Sequence, residues 1–457
     1  VFEIKKIIVS LLVVFLLPLI GILSSANAAE NTDMSKVTFN GSLEKKNQKK
    51  DYKNPEGNIK VLENKTRPVL KKNLAAAKSN NSVSSNAAIQ ALNDSPNNAA
   101  GIEIGNIYTD YITKDGQQKW YHFTNETSGK LTVILQTVQS SSVDYDLHLF
   151  KLNEDTMTLD EVANSTYNAG LNEQLSLIGE EGTYYMVVNS VSGSDPDSPF
   201  AFLVERSSSY DQYEPDDNIY QASAYMNNIY QNKTIDNSYD MDWVILQVDT
   251  EKTLTVNLNN PTSIDYQLDI FDLSLNPLAG LEDNTNYSIV FPAGTYLLRV
   301  QSRSWDFDPN QEYTLDIREK AGKATSVVVS NIDTNDNVEG YINYGYGYKW
   351  RIQNFMNIEG QLLDENGLSV PYANVEARIT TALNNEVYYA SSTTDRNGYF
   401  TISFTSIPPA VGNFSYANYA SYHYFDIIPL VFLSNGQILN SNEDSLYHFA
   451  YSIYRPH

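Results

Sequence analysis

Apolar and polar residues alternate along most of this chain. In LTVNLN, residues Leu254, Val256 and Leu258 fall on one face and Thr255, Asn257 and Asn259 on the other. In DYQLDIF, Tyr266, Leu268 and Ile270 point inward, with Gln267 and Asp269 outward. From about residue 101 onward such runs recur between turn clusters, which predicts an all-β chain of tandem antiparallel β-sandwiches. Residues 29–100 lack this alternation. They are poor in aromatics and rich in Lys, Asn, Ser and Ala, and so little apolar burial does not offset chain entropy. They are expected to form a disordered basic leader, with a short helix near Asn86–Leu92. Residues 1–28 show a third pattern: Lys5 and Lys6, an apolar run from Ile7 to Leu23 interrupted by Pro18, then Ala26-Asn27-Ala28. This is the layout of a cleavable export signal, with the mature chain starting at Ala29. An uncleaved anchor fits a proline-interrupted run less well. No later segment is apolar enough to span a bilayer, so the mature chain is expected to be secreted or loosely associated with the cell surface.

Comparing the chain with itself reveals a duplication. Trp120 in QKWYHF matches Trp243 in MDWVIL, and LTVILQ from Leu131 matches LTVNLN from Leu254, both 123 residues apart. DYDLHLF from Asp144 matches DYQLDIF from Asp265 at 121, and GTYYMVV from Gly182 matches GTYLLRV from Gly294 at 112. The closing runs FAFLVE and YTLDIR begin at Phe200 and Tyr313, 113 apart. Five blocks in one order, with offsets that change only across loops, define two copies of one module at 101–207 and 208–320. A third unit spans 325–457.

Composition narrows the functional classes. With no cysteine in 457 residues, disulfides, thiolate metal sites, cysteine nucleophiles and lipid attachment are excluded, and an exported chain of this kind points to a bacterial source. The formal net charge is −24, unevenly spread. Residues 29–80 hold 12 Lys/Arg against 6 Asp/Glu, a net of +6, which leaves about −31 on residues 81–457. So acidic a body repels nucleic acid and anionic membranes and suits a protein that binds cations.

The repeated blocks resemble the bacterial pre-peptidase C-terminal domain, a small β-sandwich of secreted proteases related to clostridial collagen-binding modules. The second repeat carries the whole pattern: EPDD at Glu214, DMDW at Asp240, LTV at Leu254, DYQLDI at Asp265 and GTYLLRV at Gly294. The first keeps the strand blocks but has NDSPNN in place of EPDD, and Lys119 before its tryptophan. In the third unit, IEGQLLDENGLSVPYANVEARI and STTDRNGYFTISF resemble the carboxypeptidase regulatory-like, transthyretin-type sandwich. Gly360, Asp364, Gly367, Pro371, Ala373 and Val375 fit its first half, and Thr394, Asp395, Gly398 and Phe400 its second. The stretch after Pro408 departs from that pattern and is rich in Tyr and Phe.

Candidate chemistry is sparse. There is no H-E-x-x-H, no G-x-S-x-G and no phosphate-binding glycine loop, and the five histidines (His122, His148, His423, His448, His457) show no metal-ligand spacing. The expectation is a protein without catalytic residues; a carboxylate-based hydrolase is the weakest alternative. Glu214, Asp216, Asp217, Asp240 and Asp242 are the candidate metal ligands of the second repeat, and the resemblance implies calcium there, since hard oxygen donors in loops suit that ion. Equally open is that EPDD solvates a linker while Asp240 and Asp242 cap a turn. Asn97, Asn98 and Lys119 stand at the approximate counterparts in the first repeat, which is expected to bind calcium weakly or not at all. YINYGYGYKW places Tyr341, Tyr344, Tyr346, Tyr348 and Trp350 on an alternating strand, either as a platform for a ligand or as packing between domains. The function expected is binding or adhesion to an extracellular polymer, protein matrix or polysaccharide, with a self-assembling surface protein as the alternative.

Overall fold

The computed structural model describes residues 36–39, 41–43, 52–72, 74, 87–88, 92–226, 230–333, 356–380, 387–405 and 420–441, with short strands at 342–343, 348–349, 351–352, 414–416 and 448–456. The expected export signal lies outside these residues. The regular structure of the described residues is nearly all β, arranged in several mostly antiparallel sheets. Among the described residues, no helix is long and apolar enough to cross a membrane. The described residues form two compact units: those up to 47 together with 81–206, and those from 48 to 80 together with 207 onward.

In the leader, Lys60–Val61 is strand β1. The first repeat then supplies β2 (Tyr108–Ile112), β3 (Gln118–Asn125), β4 (Gly129–Gln136), β5 (Asp144–Asn153), β6 (Thr158–Ser165), β7 (Glu173–Gly179), β8 (Gly182–Ser192) and β9 (Asp195–Ser207). One sheet runs β3-β8-β5-β6 and the other β2-β9-β4-β7. The second repeat supplies β10 (Gln231–Lys233), β11 (Asp242–Val248), β12 (Lys252–Asn259), β13 (Tyr266–Phe271), β14 (Pro277–Glu282), β15 (Tyr287–Phe291), β16 (Gly294–Ser302) and β17 (Tyr313–Glu319). Its sheets run β11-β16-β13-β14 and β10-β17-β12-β15, the same order strand for strand. Register agrees as well: Trp120 lies opposite Val187, and Trp243 opposite Arg299, 112 residues beyond Val187.

Alternation in sequence becomes burial in each core. Leu254, Val256 and Leu258 from β12 meet Tyr266, Leu268 and Ile270 from β13 between the sheets, all buried. Leu131, Val133 and Leu135 meet Tyr145, Leu147 and Leu149 in the first repeat. Each such side chain contributes about 1.5–3 kcal/mol of transfer free energy, which is how sandwiches of this size hold without disulfides.

Gln267 and Asp269 do point away from the core, as the alternation requires, yet both are fully buried. What covers them is the leader. β1 pairs antiparallel with β15, Lys60 opposite Val290 and Val61 opposite Ile289, and adds a fifth strand to that sheet. The chain then crosses the outer face of the other sheet, where Arg67 bridges Gly280 on β14. The expectation of a disordered leader is therefore corrected for residues 52–72. That expectation rested on apolar burial alone, whereas this segment satisfies its own peptide groups and charges on a partner surface, adding only Ile59, Val61, Tyr52 and Val69 to apolar clusters. In the other unit, Val37 and Phe39 pack on Trp120 and Phe150, the equivalent face of the first repeat. Ala87–Ala88, placed by sequence in a short helix, are strand. His148 is buried with Nδ1 2.9 Å from Glu161 Oε1, a structural rather than a solvent-facing residue.

The third unit has β18 (Ala324–Asp333), β19 (Met356–Asp364), β20 (Asn374–Thr380), β21 (Val387–Thr393), β22 (Tyr399–Phe404) and β23 (Ala420–Ser434). β22-β19-β18 form one sheet and β23-β20-β21 belong to another, with Ile358, Leu362, Val375, Phe400, Ile402 and Phe432 in the shared core. DENG and DRNG are tight turns. Asp364 Oδ1 accepts the amides of Asn366 and Leu368 at 2.8 Å, and Asp395 Oδ1 those of Asn397 and Tyr399 at 2.7 and 2.9 Å.

Candidate metal centre

Two strand ends and a loop build the acidic site of the second repeat. β10 ends at Lys233, β11 begins at Asp242, and the EPDD segment is fixed beside them because Trp243 N donates to Asp216 O at 3.0 Å. Asp216, Asp217, Asp240 and Asp242 are fully buried there, with Glu214 half-buried. All five candidate ligands thus meet in one region, but they divide into two groups.

The first group is an internal ion cluster. The Lys233 ammonium pairs with Asp216 and lies 3.7 Å from Asp242 Oδ1. Asp242 Oδ2 accepts from the Tyr313 hydroxyl at 2.5 Å. Burial pushes the Asp242 carboxyl well above the usual range; Lys233 pulls it back, and Asp216 and Asp211 push it further. Burial would depress Lys233, but the carboxylates of Asp242 and Asp216 outweigh it and hold the ammonium above its ordinary value. These two aspartates already face a fixed cation, Asp216 the more closely, which sets them apart from the remaining three.

The second group fits a metal ion. Glu214, Asp217 and Asp240 offer carboxylate oxygens that all lie within 4.8 Å of one another. Each is oriented by a backbone amide: Asp216 N to Glu214 Oε2 at 3.0 Å, Met241 N to Asp217 Oδ1 at 2.8 Å, and Asp236 N to Asp240 Oδ2 at 2.6 Å. Asp211, with Glu214 and Asp242, forms an overlapping trio. Sequence reasoning missed Asp211, although DQYEPDD sets it only three residues before Glu214.

The first repeat shows what replaces this arrangement. Trp120 N donates to Asn93 O at 2.7 Å, so Asn93 is the counterpart of Asp216, and Asp94 that of Asp217. Asn97 and Asn98, the counterparts expected from sequence, lie four residues further on. By the same register Gln117 stands for Asp240 and Lys119 for Asp242. Lys119 Nζ lies 3.3 Å from Asp110 Oδ1 and donates to Asn93 Oδ1 at 3.0 Å. Asp110 sits opposite Phe200, as Lys233 sits opposite Tyr313. The two repeats therefore keep one buried ion pair at one place, with its charges exchanged between the strands.

Of the aromatic run, Tyr341, Tyr344, Tyr346 and Trp350 lie outside the described residues. Tyr348 is in a two-residue strand paired with Ile342–Asn343. Exposed tyrosines among the described residues of the third unit are Tyr372, Tyr389 and Tyr399.

Over 127 residues the chain is 42% identical to the uncharacterized protein YlqB of Bacillus subtilis strain 168, a match covering 28% of this chain and 78% of that one. The chain belongs to the YlqB family. No protein-family model matches it. Among solved structures it is similar to the PBSX exported protein XepA, with 8% identity, 46% of this chain and 85% of that one covered, and a TM-score of 0.17. It is also similar to the N-terminal CBM22-1–CBM22-2 tandem of Paenibacillus barcinonensis Xyn10C, with 10% identity, 47% and 91% coverage and a TM-score of 0.14. A tetra-tandem repeat from the extending region of a large adhesion protein matches with 13% identity, 75% and 81% coverage and a TM-score of 0.15.

Proposed function

We propose that this is an exported, noncatalytic binding protein whose sandwich modules hold an extracellular polymer, protein matrix or polysaccharide. The observation that carries the reading is the duplication itself: two modules with one strand order and one register, differing in their surface chemistry rather than their cores. Linked modules raise effective concentration at a repetitive ligand, so two weak contacts give tight retention. The quoted blocks fall on matching strands in both copies, which supports reading them as pre-peptidase C-terminal-like domains. The Asp-capped turns and two-sheet core of residues 325–457 support a carboxypeptidase regulatory-like unit. The deciding measurement is retention of the purified chain on a panel of insoluble polymers, with calcium and with chelator. Retention on one polymer is the expected result; no retention together with concentration-dependent assembly overturns it in favour of a structural role.

The second repeat is proposed to take calcium at Glu214, Asp217 and Asp240. Three converging carboxylates from loops supply the charge and hard oxygens the ion requires, and bound calcium would tie the EPDD segment to the start of β11. Calorimetric titration of the full chain should show one site, lost in Asp217→Asn and in Asp240→Asn but kept in Asp216→Asn, whose carboxylate faces Lys233. Absence of heat in the unaltered chain would defeat the assignment.

A further inference from the structure

The outer face of the β11-β16-β13-β14 sheet holds polar side chains that neither the core nor the acidic site uses. Asp269 accepts from Gln267 Nε2 at 2.5 Å, Gln301 Nε2 at 3.0 Å and Arg299 at 2.9 Å, and also takes the backbone N–H of Leu70 at 3.3 Å. Arg299 donates in turn to Leu70 O at 2.7 Å, and Gln267 to Pro68 O at 2.9 Å. One residue earlier, Arg67 exchanges two backbone hydrogen bonds with Gly280, at 2.8 and 3.1 Å. Its guanidinium reaches Asp265 at 2.9 Å and Glu282 at 2.5 Å. Fixed donors and acceptors reading a peptide backbone, with one arginine held by two carboxylates, are the elements by which extended basic peptides are recognised.

Gly280 shows that the face is shaped for this occupant. A Cβ there would stand 2.7 Å from Arg67 O, 3.0 Å from Pro68 O and 2.7 Å from Nε2 of Gln267, the side chain that itself holds Pro68 O. Gly280 lies opposite Asp269, whereas Asn164 lies opposite His148 at the matching place in the first repeat. Charge agrees as well: the leader is net positive and the body it lies on strongly negative.

We propose that the outer face of the second repeat is a receptor groove for an extended basic peptide of the Arg-Pro-x-Leu kind, and that residues 52–72 are its built-in, displaceable occupant. The inference is independent of polymer and calcium binding. It is tested on the full chain with a fluorescent peptide of residues 52–72, by anisotropy. The unaltered chain, its groove filled, takes up the peptide only weakly, by displacement of its own segment. Arg67→Glu, which loosens the occupant and leaves the groove intact, should bind the peptide at least about tenfold more tightly. Arg67→Glu combined with Gly280→Val should lose that binding, as should a peptide carrying Arg67→Glu. A folded Arg67→Glu chain that ignores the peptide, or a Gly280→Val combination that still binds it, overturns the proposal. Amide exchange of the unaltered chain decides independently of any variant's folding. Arg67 and Leu70 amides should exchange more slowly than in free peptide but faster than those of Val256 and Ile270; exchange only at the rate of the core would make the segment an integral strand and sink the idea.

Discussion

Lys72 lies at the end of the docked leader, its ammonium 4.7 Å from the Trp305 ring centroid and donating to Ser238 O at 2.8 Å. Burial, and then the positive charge of Arg299, bring its pKa down from 10.5 to about 7, with Asp240 acting the other way. A lysine that is released from the face returns to its ordinary value, so docking expels a proton between about pH 7 and pH 10.5. Docking is therefore weakest below pH 7 and strengthens as pH rises through that window. Lys72→Met should stabilise the second unit relative to the unaltered chain at pH 6, and by less at pH 9, in paired thermal melts. A gain that does not shrink with pH would show that Lys72 is not the titrating group. Asp269 sits at the centre of the same face, where it neutralises Arg299, itself stacked over Trp243 and Phe271. Asp269→Asn leaves that guanidinium buried without its counter-charge and should cost about 3 kcal/mol in denaturant unfolding of the second unit.

At the scale of elements, the exchanged ion pairs give a sharper experiment. In the first repeat β2 carries the anion and β3 the cation; in the second β10 carries the cation and β11 the anion. Removing one partner of a buried pair strands the other, at about 3–5 kcal/mol. Asp110→Lys and Lys119→Asp should each destabilise the first repeat by that order. Together they recreate the second repeat's arrangement and should recover more than half of the loss, read as a coupling energy in a double-variant cycle of denaturant midpoints. Simple additivity of the two losses would mean that the strands do not communicate through this pair.

For the whole molecule, the uneven chemistry of the repeats predicts an uneven response. A ligand that binds only the folded form stabilises by mass action, by about 2.7 kcal/mol at a hundredfold excess over its dissociation constant. Calcium should raise the melting transition of the unit containing the second repeat and leave that of the first repeat unmoved, as followed by calorimetry with and without chelator. Equal shifts in both transitions would place the effect on general charge screening of the acidic body.

Much of this architecture was legible in the residues alone. A period of two with Leu254, Val256 and Leu258 on one face leaves a strand only one way to bury them, and five blocks repeated in order leave little choice of topology. The acidic cluster was legible as a list of residues but not as two groups, because the cation that divides it, Lys233, stands only nine residues before Asp242 but on a strand of the other sheet, and nothing in the local sequence says that the two sheets bring it against the carboxylates. The docked leader was not legible at all. Its stability comes from hydrogen bonds and charges on a surface some two hundred residues away, and of such a partner local composition carries no trace beyond the leader's positive charge. The chain by itself determined the strands, their faces and their duplication, since these follow from the geometry of a backbone with alternating side chains. Only the tertiary structure decided which carboxylates are already neutralised and which outward-facing residues are buried, because both depend on what distant segments bring against them.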